Sequence, residues 1–260
     1  MDKKRQKEIL ILAIKAGKIM MKSGAEIYRV EDTISRICLA CGIDHVNVFA
    51  MPTGIFVSIN IEDEDDTVTY VKRITGSETD LRKIAEVNRF SREFTTTDLS
   101  VKDGMKMLEE IENRKPVAFP VRGLAAAVVT GCFALIFGGA IPDFFVAFVA
   151  GFGAYAFSRL LQRSEINFFI RGFLCTAFTS ICALIAETLI PGVSYSFVVM
   201  GCIMLFVPGV AITNSIRDFL SGDMLSGLAR LTEAFLIGIS LAAGAGVVIK
   251  LWTMTGGITL

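Results

Sequence analysis

The sequence predicts an α-helical membrane protein with five transmembrane helices and an N-terminal cytoplasmic α+β domain. The chain has 260 residues, 53% of them hydrophobic, and a mean hydropathy of +0.58, which is too apolar for one ordinary soluble domain. Charge is unevenly distributed, because residues 1–122 hold 20 of the 26 basic residues and 20 of the 26 acidic ones. We therefore predict a cytoplasmic domain over 1–118 and a transmembrane domain over 119–260.

The predicted N-terminal domain begins with two helices, over residues 4–22 and 25–40, because apolar residues recur there with helical spacing. On the first helix they form one stripe: Ile9, Leu12, Ala13, Ala16, Ile19 and Met20. The period then changes to two in three β-branched and aromatic runs, "HVNVFAM", "IFVSINI" and "TVTYVKRI", with the acidic turn "EDEDD" before the third. Two more helices follow, over 80–94 and 100–113. The pattern is typical of an α+β domain with a three-stranded antiparallel meander.

The C-terminal half contains five apolar windows of about the length that crosses a bilayer as a helix. They are residues 124–141, 144–161, 168–190, 193–212 and 231–252. Basic residues flank the loops between the second and third windows and between the fourth and fifth. The positive-inside rule then places the N-terminus in the cytoplasm of a multi-pass cell-membrane protein.

Small residues four apart on two of these spans predict close helix packing within one bundle. Ala147 and Gly151 lie on the second span, and Gly238, Ala242 and Gly246 lie on the fifth.

Several function classes have no support in the sequence. The net charge is zero and no long basic run exists, so nucleic acid is not an expected partner. Cys38 and Cys41 form a C-x-x-C followed by His45, but no second cysteine pair completes a metal site. With one histidine and no glycine-rich phosphate loop, we expect neither an enzyme nor a cofactor.

The stretch "LFVPGVAITNSIRDFLSGDMLSG" (205–227) interrupts the fourth span with proline, glycine and charge. Proline and glycine break the helix, and Asn214, Arg217 and Asp218 after them share one helical face. Broken membrane helices with polar groups at the break are binding sites in many transporters. The predicted substrate or ion path is Pro208, Gly209, Thr213, Asn214, Arg217, Asp218 and Asp223. The alternative is a structural kink followed by an interfacial ion pair.

Three further groups of residues are secondary candidates. The segment "GAEIYRVEDTISRI" contributes Glu26, Tyr28, Arg29 and Glu31, which otherwise form a solvated charged face. The segment "FAMPTGIFVSI" contributes Pro52, Thr53 and Gly54, which otherwise form a turn. Two acids close to the spans, Glu187 and Glu233, are candidate proton relays or simple interfacial carboxylates.

The segments "SGAEIYRVEDTISRI", "MPTGIFVSI" and "VPGVAITNSIRDFLSGDMLSGLARLTEA" together resemble the threonine/serine exporter family, over nearly the whole chain. Long members of that family carry a cytoplasmic domain and about ten spans in two halves. The resemblance implies a split version, in which this chain is the N-terminal subunit and a small membrane protein supplies the second half. It implies export of threonine, serine or succinate, driven by the proton gradient.

We therefore predict one subunit of a secondary exporter of small carboxylate metabolites. The odd span count agrees with a missing second half, since inverted repeats build several transporter folds. The alternative is a membrane-anchored metabolite-sensing or regulatory protein.

Overall fold

The structure is a computed structural model that describes residues 3–60, 67–76, 78–164 and 166–256. The predicted turn "EDEDD" lies outside these residues. Contacts between residues divide the chain into two compact units. The first unit comprises Met1–Lys115 and Gly209–Thr232, and the second comprises Pro116–Pro208 and Glu233–Leu260.

The described residues in the N-terminal part of the first unit form four helices and a sheet. Its elements are α1 (Lys3–Lys22), α2 (Ile27–Ala40), β1 (Val46–Met51), β2 (Gly54–Asn60), β3 (Thr67–Arg73), α3 (Leu81–Thr96) and α4 (Val101–Glu112). The strands pair antiparallel in the order β1-β2-β3, with Val57 opposite both Val48 and Tyr70. The predicted antiparallel meander is therefore confirmed.

The first unit has its core around α1. The apolar stripe predicted on this helix is fully buried: Ile9, Leu12, Ala13, Ala16, Ile19 and Met20. Gly17 lets α2 pack close, because a Cβ at this position would lie 2.5 Å from the Ile34 side chain. The close contact of α1 with α2 fixes the position of the turn that joins them.

Four helices in the described part of the chain are long and apolar enough to cross a membrane. They are α5 (Phe119–Ile136), α6 (Ile141–Arg163), α7 (Phe168–Leu189) and α10 (Met224–Met254). They occupy the places of the first, second, third and fifth predicted spans. The last of them begins at Met224, earlier than the predicted residue 231.

The fourth predicted span, over residues 193–212, is not one helix. The chain there forms α8 (Tyr195–Ile203) and α9 (Gly209–Leu220). At about 1.5 Å per residue neither helix reaches the roughly 30 Å of a bilayer core. The interruption ends at Pro208, which has no N–H to continue a helical ladder.

The sequence predicts that all residues after 118 belong to the transmembrane domain. In the structure the segment Gly209–Thr232 groups with the N-terminal residues instead. This segment contains α9 and the start of α10. Its polar side chains bond to the turn between α1 and α2, as described below, and this bonding accounts for the grouping.

The small residues predicted to pack closely on the second and fifth spans differ in whether a neighbouring helix lies against them. A Cβ on Gly151 would lie 2.0 Å from Thr130 Oγ1, and the Thr130 hydroxyl donates to the carbonyl oxygen of Ala147 at 2.8 Å. The close packing predicted there is confirmed. On α10, in contrast, no described atom beyond the helix itself lies within 4 Å of a Cβ built on Gly238 or Gly246.

Candidate functional site

The turn between α1 and α2 presents backbone groups that its own residues leave free. Gly24 has φ +83°, a conformation that favours glycine. Glu26 occupies the N-cap position of α2, but its side chain makes no capping hydrogen bond. The first N–H groups of a helix need an acceptor from elsewhere in the protein when they are buried.

Helix α9 supplies that acceptor. Asp218 Oδ1 accepts a hydrogen bond from the Ile27 N–H at 3.3 Å, and Asn214 Nδ2 donates to the Gly24 carbonyl oxygen at 2.8 Å. Arg217 Nη1 donates to Glu26 Oε1. The three α9 residues predicted to share one face therefore all contact the α1–α2 turn, and two groups of candidates that the sequence kept separate meet in one place.

Arg230 of α10 completes this arrangement. Its Nη2 donates to the Ala25 carbonyl oxygen at 2.6 Å, and its Nε lies 3.1 Å from Asp218 Oδ2. The contact with Asp218 is an ion pair without hydrogen-bond geometry. Asp218 is 0% exposed and Arg230 is 8% exposed. Sequence reasoning missed Arg230 as a site residue, although it is one of only six basic residues after position 122.

Glu26 lies between two guanidinium groups. Arg217 donates to one of its carboxylate oxygens, and Arg29 Nε lies 3.3 Å from the other. Arg29 also donates to the hydroxyl of Tyr28 at 3.2 Å. The side chain of Glu26 is 9% exposed, whereas those of Arg29 and Arg217 are 41% and 51% exposed. Solvent therefore reaches the two cations more readily than the carboxylate between them.

We call Glu26, Arg29, Arg217, Asp218 and Arg230 the ionic cluster. Burial raises the pKa of Asp218, while Arg230 and the Ile27 N–H act in the opposite direction. Burial also raises the pKa of Asp223 and of Glu31, whose Oε1 accepts from the Ala50 N–H at 2.7 Å. The negative charge of Asp223 also raises the pKa values of Asp218 and Glu31. These carboxylates take up protons at a higher pH than exposed ones.

Other predicted path residues lie outside the ionic cluster. Pro208 directly precedes α9, and Gly209 is its first residue. Thr213 is exposed, and its hydroxyl donates to the Gly209 carbonyl oxygen of its own helix at 3.0 Å.

The segment Pro52, Thr53 and Gly54 joins β1 to β2. The Thr53 carbonyl oxygen accepts from the Ile74 N–H at 2.9 Å, and the Thr53 side chain is exposed. These contacts favour the interpretation of the tripeptide as a turn.

The two acids near the spans differ from each other. Glu187 Oε1 accepts from the Tyr195 N–H at 2.9 Å, and Asp143 Oδ1 accepts from the Ser194 N–H at 2.7 Å. Two carboxylates thus hold the N-terminus of α8, and sequence reasoning missed Asp143. Glu233 is exposed on α10.

In the C-x-x-C segment, Cys38 packs in the core and is not a reactive thiol. Cys38 is fully buried, and burial raises its pKa to about 12, which keeps it protonated. Within the ranges that the structure describes, no group of three or more His, Cys, Asp or Glu side chains is arranged to hold a metal ion.

Comparison with known proteins identifies similar sequences over nearly the whole chain. A family model described as "Putative threonine/serine exporter" matches residues 11–252. A "Threonine/serine exporter" of Corynebacterium glutamicum is 25% identical over 250 residues, which cover 94% of this chain and 51% of that protein. A "Probable succinate transporter subunit YjjP" of Klebsiella aerogenes is 24% identical over 262 residues, which cover 98% of both chains.

The protein of that name in Escherichia coli K12 is 24% identical over 263 residues, covering 98% of this chain and 99% of the relative. The chain thus spans about half the length of the Corynebacterium relative and nearly all of the two named as subunits. No solved structure matches this chain.

Proposed function

This chain belongs to the threonine/serine exporter family, and we propose that it is one subunit of a proton-gradient-driven secondary exporter of small carboxylate metabolites. Threonine, serine and succinate are the candidate substrates, because relatives are named for their transport. A membrane-anchored sensor is not favoured, since these named relatives are transporters. Their names are also consistent with a protein that is not an enzyme.

The observation that carries this proposal is the position of Glu26 between two half-exposed arginines. A buried carboxylate paired with exposed guanidinium groups leaves those groups reachable from water. A guanidinium binds a carboxylate through two parallel hydrogen bonds. In our proposal the carboxylate of an incoming substrate replaces Glu26 on Arg217, while Arg29 keeps Glu26 paired.

Proton coupling is assigned to Asp218. Its raised pKa favours proton uptake, and a protonated Asp218 no longer attracts Arg230. Substrate binding then breaks the Arg217–Glu26 contact, and protonation weakens the Asp218–Arg230 contact. Both contacts belong to the group that joins α9 and α10 to the start of α2. Because α10 runs unbroken from Met224 to Met254, a displacement of Arg230 acts on a helix long enough to cross the membrane.

The proposed arrangement has the N-terminal domain in the cytoplasm and five passes, of which the fourth is the broken stretch 193–212, with α8 and the first residues of α9. Asp218 lies after this pass. The basic residues near the predicted cytoplasmic loops support this orientation. A small membrane-protein subunit supplies the second half of the exporter. The half-length match to the Corynebacterium exporter and the subunit names of the full-length matches support such a partner.

The test is substrate efflux from cells that contain the chain in its native membrane, normalised to the amount of inserted protein. We expect Arg217→Lys to slow the efflux of labelled threonine, serine or succinate by about tenfold or more, because lysine lacks the two-pronged geometry. Collapsing the pH gradient with a protonophore should abolish uphill efflux of the wild-type protein.

Arg36→Lys is the matched control, because Arg36 lies in the same unit and pairs with Asp32 at an exposed site on α2. This variant should retain the wild-type rate. A wild-type rate for Arg217→Lys, or uphill efflux that survives collapse of the gradient, contradicts the proposal.

A further inference from the structure

One face of α10 carries small residues that are exposed in the described part of the chain. Gly238, Ala242 and Gly246 are four residues apart, so they lie in a line along the helix. The described part of the chain places no atom from outside the helix within 4 Å of a Cβ on either glycine, and Ala242 is exposed. Phe235 and Ile239 on the same face are also exposed. We call these five residues the open face.

The opposite face of α10 shows how this helix uses small residues where a neighbour is present. A Cβ on Gly244 would lie 2.4 Å from the Phe173 carbonyl oxygen of α7. The Ser240 hydroxyl donates to the Phe169 carbonyl oxygen, also on α7, and Leu241 is buried. Small residues on that side let two helix backbones approach closely.

Lipid alone does not account for the open face. A glycine in the middle of a helix destabilises it relative to alanine, and lipid tails gain nothing from a smooth helix surface. Transmembrane helices associate through small residues that allow close approach of the backbones. The open face therefore has the character of a contact surface for another helix.

The lengths of the relatives indicate where that helix comes from. The Corynebacterium exporter contains about as many residues again as the part that this chain matches. The relatives that this chain matches from end to end are named as subunits. A separate membrane protein that corresponds to the unmatched half is the occupant that agrees with both observations.

We propose that the open face of α10 is the docking surface for a membrane-spanning helix of the second exporter subunit. This inference rests on the proposed two-subunit function. The helix crosses α10 near Ala242, where the two glycines allow the backbones to approach, and Phe235 and Ile239 pack along its side.

The test uses the full chain in its native membrane with a photo-reactive residue at Ile239, which is 43% exposed, or at Val128 of α5, which is 44% exposed. From position 239 we expect an adduct with a membrane protein whose sequence matches the half of the Corynebacterium exporter that this chain does not cover. Position 128 should not give this adduct. Adducts at 239 with phospholipid only or with a second copy of this chain, or equal yields at both positions, overturn the proposal.

Two alanine-to-leucine variants test the contact itself. Ala242→Leu fills the open face, and Ala125→Leu makes the same change at an exposed position of α5. We expect Ala242→Leu to reduce the adduct from position 239 by about tenfold, the cost of overpacking a close contact, and Ala125→Leu to leave it unchanged. Unchanged yield with Ala242→Leu, or equal loss with both variants, refutes the docking surface.

The adduct is read without any transport assay. If the wild-type complex exports none of the candidate substrates but still forms the adduct, the exporter function fails and the docking surface stands.

Discussion

Asp218 and Arg230 form an ion pair in the interior of the first unit. Both are buried, and each also satisfies a backbone group of the α1–α2 turn. Removing one partner of a buried ion pair leaves the other charge uncompensated, which costs about 3–5 kcal/mol, whereas replacing both partners is often neutral. We therefore expect loss of the Arg230 cation to act on folding, because it leaves the Asp218 carboxylate buried and unpaired.

We expect Arg230→Gln alone to lower the free energy of unfolding in detergent by about 3 kcal/mol, because it leaves the Asp218 carboxylate buried without its cation. Asp218→Asn alone should cost less, because the raised pKa of Asp218 means that the folded state favours a neutral group there. The double variant should recover most of the loss caused by Arg230→Gln, because neither charge remains buried. Lys106→Gln is the control, since Lys106 pairs with Asp103 at an exposed site and should leave the unfolding curve unchanged. Additive losses in the double variant would show that the two residues do not act as a pair.

The pH dependence of stability follows from the same carboxyl. Because the pKa of Asp218 is raised in the folded chain, the folded state holds its proton to a higher pH than the unfolded state does. The contribution of this group to stability is largest below its ordinary pKa and falls as the pH rises through the raised value. The double variant should lack this part of the decline, while Asp223 and Glu31, whose pKa values are also raised, retain theirs.

At the scale of elements, α8 is a short helix held at its N-terminus by carboxylates from two other helices. Glu187 comes from α7 and Asp143 from α6, and each accepts an N–H that the helix cannot satisfy itself. The structure thus gives Glu187 a definite partner, where the sequence left a proton relay and an interfacial carboxylate as alternatives.

Glu187→Ala should loosen α8, because losing a cap costs about 1 kcal/mol, whereas Glu187→Gln keeps an acceptor oxygen and should not. The measurement is the rate at which Cys202, buried on α8, is modified by a membrane-permeable thiol reagent, followed by mass spectrometry of its peptide. The rate should rise with Glu187→Ala and stay at the wild-type value with Glu187→Gln. Glu233→Ala removes an exposed carboxylate and serves as the control; equal rates in the alanine and glutamine variants would argue against the cap.

At the scale of the whole molecule, the chain matches about half of one exporter and nearly all of two proteins named as subunits. We expect the chain expressed alone to insert into the membrane but to export none of the candidate substrates. Co-expression with the membrane protein identified through the open face should restore efflux. Equal efflux with and without that partner would indicate a self-sufficient homo-oligomer.

The sequence by itself determined the features that depend on neighbours within one or two helical turns. The buried stripe of α1, the antiparallel meander, and the shared face of Asn214, Arg217 and Asp218 all follow from spacing along the chain. The existence of four apolar helices long enough to cross a membrane follows from composition in the same way, although their exact bounds do not. Pro208 marked the interruption of the fourth span, because its missing N–H acts locally.

Only the tertiary structure decided which surfaces meet. Ile27 and Asp218 are 191 positions apart, and no local period connects a turn near the N-terminus with a helix that distant. The roles of Arg230 and Asp143 were missed for the same reason, since each depends on a backbone group that another element leaves unpaired. The spacing of Gly238, Ala242 and Gly246 predicted close packing, but spacing along one helix cannot specify which side of it has a neighbour, because that depends on where the other helices lie.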